Sequence, residues 1–210
     1  MKCLIVSGGK APSKDLILSC RPFDYVVAAD KGASYLLKCG IAPNVLLGDF
    51  DSLSKRKLAM LKALGCKVFE YEKEKDFTDT EGAVRFAMDM GFKDIIILGA
   101  IGTRMDHTLA NIDLLKIPYD NGVNCIIEDE KNRMFLGKSP VLLKKNNKKF
   151  FSILPYSEEI TGLSIIGAKY ELKDYTLIKN STIAVSNEFL NDVVKLQFLN
   201  GIPLIIESND

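Results

Sequence analysis

Short, mostly apolar runs recur from the start of the chain to Ile127: Cys3–Val6, Tyr25–Ala29, Val45–Leu47, Cys66–Phe69, Ile95–Leu98 and Val123–Ile127. Lys67 and Asn124 are the sole polar residues within them and no run alternates throughout, so each predicts a strand buried on both faces. Between them lie apolar residues at a spacing near 3.6, such as Leu58, Leu61 and Leu64, or Leu109, Ile112 and Leu115. That spacing predicts helices whose apolar stripe faces the strands. Strand and helix in alternation predict a parallel sheet with crossover helices over residues 1–130. Past Glu130 the period changes. Runs at Phe150–Leu154, Leu163–Ile166, Thr182–Val185, Val193–Phe198 and Leu204–Ile206 are separated by Gly, Asn, Ser and Pro, with no helical stretch. Residues 131–210 therefore predict an antiparallel sandwich or barrel-like unit. The run Lys144-Lys145-Asn146-Asn147-Lys148-Lys149 reads as a solvated hairpin tip rather than a polyanion site.

Composition narrows the class. An apolar fraction of 47% and a charged fraction of 26% suit a globular chain with a sizeable core. The 28 Lys and Arg against 27 Asp and Glu leave a net charge of +1, so nothing global draws the chain to nucleic acid or an anionic membrane. No apolar run approaches the ~18–20 residues that cross a bilayer. The segment Met1 to Gly9 is too short in apolar residues for a signal peptide and reads as a strand entering a glycine turn. Cys3, Cys20, Cys39, Cys66 and Cys125 are odd in number and contain no Cys-x-x-Cys pair, which argues against a zinc site or a disulfide framework. A reduced, cytoplasmic protein is expected.

Open parallel sheets bind ligands at the carboxyl ends of their strands. Those ends are acidic here: Asp30-Lys31-Gly32 after Ala29, Gly48-Asp49-Phe50-Asp51-Ser52 after Leu47, and Lys75-Asp76-Phe77-Thr78-Asp79 beyond Phe69. Asp49 and Asp51, two apart in an extended segment, point to one side while Phe50 points away. Converging carboxylates repel unless a proton or cation lies between them. Hard oxygen donors of this kind suit Mg2+, which completes its shell with water and substrate phosphate. A polar turn with an Asp cap is the plainer alternative, and Asp30 at a neighbouring strand end tips the balance to metal. Thr78 and Glu81 form a capping box that starts a helix with Ala83, Val84, Ala87 and Met90 on its apolar face. Capping does not require Asp76, which leaves Asp76 and Asp79 for metal or phosphate. Gly99 to His107 reads as a glycine turn leading into a helix, where backbone N–H groups receive phosphate and Arg104 adds a bidentate donor. No Gly-Lys-Ser/Thr follows, so it is not a Walker loop. His107, the lone histidine, reads more readily as a structural or ligand-contacting group than as a base.

These blocks together resemble the thiamine pyrophosphokinases (thiamine diphosphokinases) of bacterial type. The matching stretches are Ala29-Asp30-Lys31-Gly32-Ala33, Pro43 through Leu53, Lys75 through Thr80, and Leu98 through Asn111, with Ser186-Asn187-Glu188 near the C-terminus. The resemblance implies Mg2+-dependent transfer of a pyrophosphoryl group from ATP to thiamine, giving thiamine diphosphate and AMP. It implies an α/β catalytic domain over 1–130, followed by an antiparallel β-sandwich over 131–210 that binds thiamine and dimerises. A homodimer whose site is shared between subunits is also implied. Asp30, Asp49, Asp51 and Asp79 carry over as the metal cluster, with Asp49, Asp51, Asp76 and Asp79 catalytic. Asp30, Lys31, Thr78, Gly99, Gly102, Thr103, Arg104, Asp106 and His107 carry over around ATP, and Ser186 and Asn187 beside thiamine. Thr103 stands where many relatives have a second Gly, Lys31 replaces a frequent Gly, and the chain has no Trp, which eukaryotic relatives place near the thiamine pyrimidine. The residues alone leave two other readings open. One is another Mg2+-dependent nucleotide enzyme, such as a pterin pyrophosphokinase or an Asp-x-Asp glycosyltransferase. The other is a non-catalytic nucleotide- or thiamine-binding protein.

Overall fold

The computed structural model describes residues 1–51, 53–72 and 74–210. Contacts divide it into two compact units, Met1–Glu130 and Lys131–Asp210. In the first, strands and helices alternate: β1 (Lys2–Val6), α1 (Lys14–Ser19), β2 (Tyr25–Ala29), α2 (Gly32–Lys38), β3 (Val45–Gly48), α3 (Lys55–Ala63), β4 (Lys67–Glu70), α4 (Asp79–Asp89), β5 (Asp94–Leu98), α5 (Met105–Asp113), α6 (Lys116–Asp120) and β6 (Asn124–Glu128). The strands lie in the order β6-β5-β1-β2-β3-β4, every pairing parallel. The chain runs outward from β1 to β4, then returns to the other side of β1 to lay down β5 and β6. That reversal opens a crevice at the carboxyl ends of β1 and β5.

Period-2 alternation sends Leu4, Val6, Val26, Ala28, Leu46 and Leu98 to one face, where they pack with Ile17, Ala33, Leu36 and Leu61 from α1, α2 and α3. Cys3, Ile5, Val27, Val45, Leu47, Ile95 and Ile97 are likewise buried, on the opposite face. There α4, with Ala83, Val84 and Ala87 fully buried, packs on β1, β2 and β3. Three details depart from the periodic reading. β4 is an edge strand, which leaves Phe69 44% exposed. Leu64 and Met90 fall at helix ends and stay exposed. On α5 the buried side chains are Thr108 and Asn111, whereas Leu109 faces outward.

The second unit contains β7 (Asn132–Leu136), β8 (Val141–Lys144), β9 (Phe150–Pro155), β10 (Glu159–Ile166), β11 (Leu172–Ile178), β12 (Asn187–Glu188), β13 (Val193–Gln197) and β14 (Pro203–Ser208). One group is ordered β12-β9-β14-β7 and the other β11-β10-β13-β8, all pairings antiparallel. Phe151, Ile153 and Ile205 of the first group meet Leu143, Ile160, Leu163, Ile165, Leu177, Val194 and Leu196 of the second in one core. That is a β-sandwich. The segment Thr182–Val185, expected as one of the short strands, is a turn: Val185 N–H donates to the Thr182 carbonyl, and Ile183 and Val185 are exposed. The basic run is not a hairpin tip either. β8 pairs with β13 and β9 with β14, so the run carries the chain from one sheet to the other. Along it Lys148 is buried, and Asn146 donates to Glu207, itself 1% exposed and paired with Arg133 at 2.6 Å.

Candidate active site

Each acidic turn follows directly from the strand before it. β2 ends at Ala29, and Asp30 turns into left-handed backbone at φ 46°, its N–H held by the Leu47 carbonyl at 2.8 Å. β3 ends at Gly48, where a side chain would press on the Asp30 backbone at 3.3 Å. The next turn is not extended as expected. Phe50 sits at φ 60° with its ring in the core, Leu53 N–H closes on the Phe50 carbonyl, and Asp51 N–H donates to Asp49 Oδ1 at 3.1 Å. Burial of Phe50 and Leu53 thus anchors the loop and turns the two carboxylates outward together. Carboxylate oxygens of Asp30, Asp49 and Asp51 all lie within 4.8 Å of one another. Left-handed backbone at two non-glycine residues costs free energy that the packed core around them sustains, as is common at functional sites. Ser52 of the same block lies outside the described residues.

Beside these carboxylates opens a cavity of about 800 Å³, ample for a nucleotide. Its walls include Ser7 to Lys10 after β1, Asp30 and Lys31, Asp49, Lys75, Phe77 to Thr80, Gly99 to Arg104, His107 and Asn111. The two glycine turns are zipped together: Ser7, Gly9 and Lys10 N–H groups donate to the carbonyls of Leu98, Gly99 and Ile101, each at 2.8 Å. This demands glycine at Gly9, where a Cβ would lie 2.5 Å from the Gly99 oxygen, and at Gly99, with φ 67° and the Ser7 oxygen 2.4 Å from its Cβ position. Tyr35 of α2 donates its hydroxyl to the Gly9 carbonyl at 2.9 Å, and Asn111 of α5 donates to Ala100 at 2.7 Å. Gly102 N–H is taken by Thr108 Oγ1 at 3.2 Å, so this amide braces the turn rather than facing a ligand.

The remaining site residues divide by location. Thr78 caps α4 by accepting from Glu81 N–H at 3.2 Å, which sets Asp79 and the buried Thr80 on the first turn, and Thr80 donates to Ser7 Oγ at 3.0 Å. Asp79 stands apart from the three-carboxylate group and is paired with Lys75. Lys31 lines the cavity with its ammonium 6.0 Å from the Tyr35 ring. Asp76 and Asp106 are exposed and lie outside the cavity wall. Asp106 instead holds Arg104 at 2.6 Å, and the Arg104 hydrogen bonds hold its carboxyl below the ordinary carboxylate value. Thr103 and His107 are exposed at the rim. In the second unit Ser186 is exposed at φ 56°, whereas Asn187 is buried and spends its amide on the backbone of Tyr170, at 2.7 and 3.0 Å. Sequence reasoning missed Ser7 to Lys10, Thr80 and Asn111. The strand-end rule applied to β1 would have found the first group, since Gly8-Gly9 follows it directly.

Comparison with known proteins settles the family. A family profile described as "Thiamin pyrophosphokinase, catalytic domain" matches residues 19–127, and one described as "Thiamin pyrophosphokinase, vitamin B1 binding domain" matches residues 140–202. The thiamine pyrophosphokinase of Bacillus subtilis is 33% identical over 186 residues, covering 88% of this chain and 87% of its own. The chain belongs to the thiamine pyrophosphokinase family. The crystal structure of that Bacillus subtilis protein superposes with a TM-score of 0.91 at 29% identity, covering 100% of both chains. A thiamin pyrophosphokinase family protein from Enterococcus faecalis gives 0.88 at 26% identity over the same coverage. The activity that goes with the family is synthesis of thiamine diphosphate, and no helix among the described residues is long and apolar enough to cross a membrane.

Proposed function

We propose that this thiamine pyrophosphokinase family member binds ATP in the crevice beyond β1 and β5 and transfers its pyrophosphoryl group to the hydroxyl of thiamine, releasing AMP. The observation that carries the reading is the convergence of Asp30, Asp49 and Asp51 within 4.8 Å at the edge of that cavity. Three hard oxygen donors of this kind fit Mg2+, and Mg2+ held there would neutralise charge on the phosphate oxygens. In the reaction the thiamine oxygen bonds to the β-phosphorus, the bond from that phosphorus to the α-phosphate oxygen breaks, and the hydroxyl proton is lost. Such a transfer depends on in-line positioning and charge neutralisation more than on covalent help. Lys10, Lys31 and Arg104 supply cationic donors around the cavity, and the zipped glycine turns let backbone approach the triphosphate. Thr78 and Asp79 complete one wall, with exposed Asp76 and Asp106 beyond it. The acidic wall also suits the permanent positive charge of the thiazolium.

The second unit would hold thiamine on the Ser186 side, Asn187 fixing the Tyr170 segment from within. The active form proposed is a homodimer, each site shared with the partner's β-sandwich. Exposed Tyr170, Ile178, Leu190 and Leu199 supply apolar surface for association. Free thiols at Cys3, Cys20, Cys39, Cys66 and Cys125 suit the reducing cytoplasm. Mass spectrometry of protein incubated with ATP, Mg2+ and thiamine, with a control lacking thiamine, tests the reaction. Thiamine diphosphate and AMP in equal amounts are expected. AMP formed only with a pterin would transfer the activity to another acceptor, a nucleoside diphosphate released from a nucleotide sugar would indicate a glycosyltransferase, and binding without turnover would leave a non-catalytic protein.

A further inference from the structure

Lys75 is held in the cavity wall more firmly than its other cations. Its ammonium pairs with Asp79, four residues on at the start of α4, with side-chain exposures of 14% and 28%. The same ammonium lies 4.6 Å from the Tyr71 ring centroid and 5.4 Å from that of Phe77, and the two rings meet edge to face at 5.3 Å. Gly82 of α4 seats this box, since a Cβ there would come within 3.0 Å of Tyr71 and 3.1 Å of Phe77. By contrast, Lys10 and Arg104 make their ion pairs with side chains 62% and 71% exposed. A cation boxed by two rings and a carboxylate cannot swing into solvent, and its charge is screened less than theirs. Three carboxylates line the cavity, Asp30, Asp49 and Asp79, and Asp51 joins the first two within 4.8 Å. Without an internal cation, that wall would attract any divalent ion and repel metal-free nucleotide.

We propose that Lys75 is a charge-balancing and positioning residue: it cancels Asp79, pins that carboxylate to the first turn of α4, and so leaves a cation to the Asp30–Asp49–Asp51 group. The proposal rests on the reading of this cavity as a nucleotide and metal site. It makes a demand that a merely structural lysine would not, because removing one positive charge must move the affinities for a cation and for an anion in opposite directions. Calorimetric titrations with Mn2+ alone, and separately with ATP in EDTA, on wild type, Lys75→Met, Lys75→Arg and Asp79→Asn provide the test. Lys75→Met is expected to bind Mn2+ about three- to tenfold more tightly and metal-free ATP more weakly by about the same factor, the size expected for one charge lost from the wall of the cavity. Lys75→Arg should stay close to wild type for both ligands, and Asp79→Asn should reverse both signs. Weakening of both ligands in Lys75→Met, or no change in either, would overturn this role for Lys75 while leaving the proposed reaction standing. A wild type that binds neither Mn2+ nor ATP would overturn the cavity reading along with it.

Discussion

Asp51 offers the sharpest single-residue test of the acidic cluster. Its side chain is exposed and takes no part in the core, so replacing it should alter chemistry without unfolding the protein. Asp51→Asn is expected to lower turnover at least ~10²-fold, about 2.7 kcal/mol of transition-state stabilisation, with the thermal midpoint nearly unchanged. Near-normal turnover in a steady-state assay would remove Asp51 from the metal site. The buried thiols respond to pH. Burial pushes Cys3 and Cys125 up to about 12, and Cys20 and Cys66 up to about 11, from an ordinary 9.0. Because the folded values are raised, the stability they contribute is fully present below pH 9 and is lost as pH rises from there towards 11 or 12. Urea midpoints should therefore fall through that window. At pH 8 iodoacetamide should spare these four thiols in the native protein and reach half-buried Cys39 first.

At the scale of elements, α4 joins the local signals to the site. Its cap, its acidic first turn and its small buried face were all legible, because Thr78, Glu81, Ala83, Val84 and Ala87 lie within three helical turns of one another. Thr78→Ala should cost about 1 kcal/mol of stability, seen as a shift in the urea midpoint, together with a larger loss of turnover because Asp79 and Thr80 ride on the turn that the cap orders. A midpoint unchanged by the substitution would show that the cap is dispensable. α5 was misread for an equally physical reason. Its apolar spacing pointed Leu109 inward, but that side braces the glycine turn, where Thr108 and Asn111 satisfy backbone groups and Leu109 is left 57% exposed. β11 was missed because only Leu177 along it is buried, so no apolar run marks it.

Across the whole molecule, strand order decides the function. Placing β1 between β2 and β5 gathers Gly9, Asp30, Asp49 and Gly99 from distant stretches of chain onto one rim. No local pattern specifies which strands become neighbours. A homodimer with shared sites is expected to lose activity per subunit on dilution below the dimer dissociation constant, measured alongside sedimentation velocity. Constant specific activity in a demonstrably monomeric sample would sink the shared-site proposal and leave each chain self-sufficient.

Strand and helix identities in the first unit, the acidic strand ends and the cap of α4 were determined by the sequence itself, since each depends on neighbours within a few residues. The blocks from Asp30 to Asn111 also carried the family resemblance. Tertiary structure alone decided the rest. It placed Phe50 in the core at positive φ, so that Asp49 and Asp51 converge through a tight turn instead of an extended strand. It turned a basic run into a crossing between sheets with Lys148 buried. These outcomes follow from long-range packing, in which the choice of partner depends on which surfaces must leave water together.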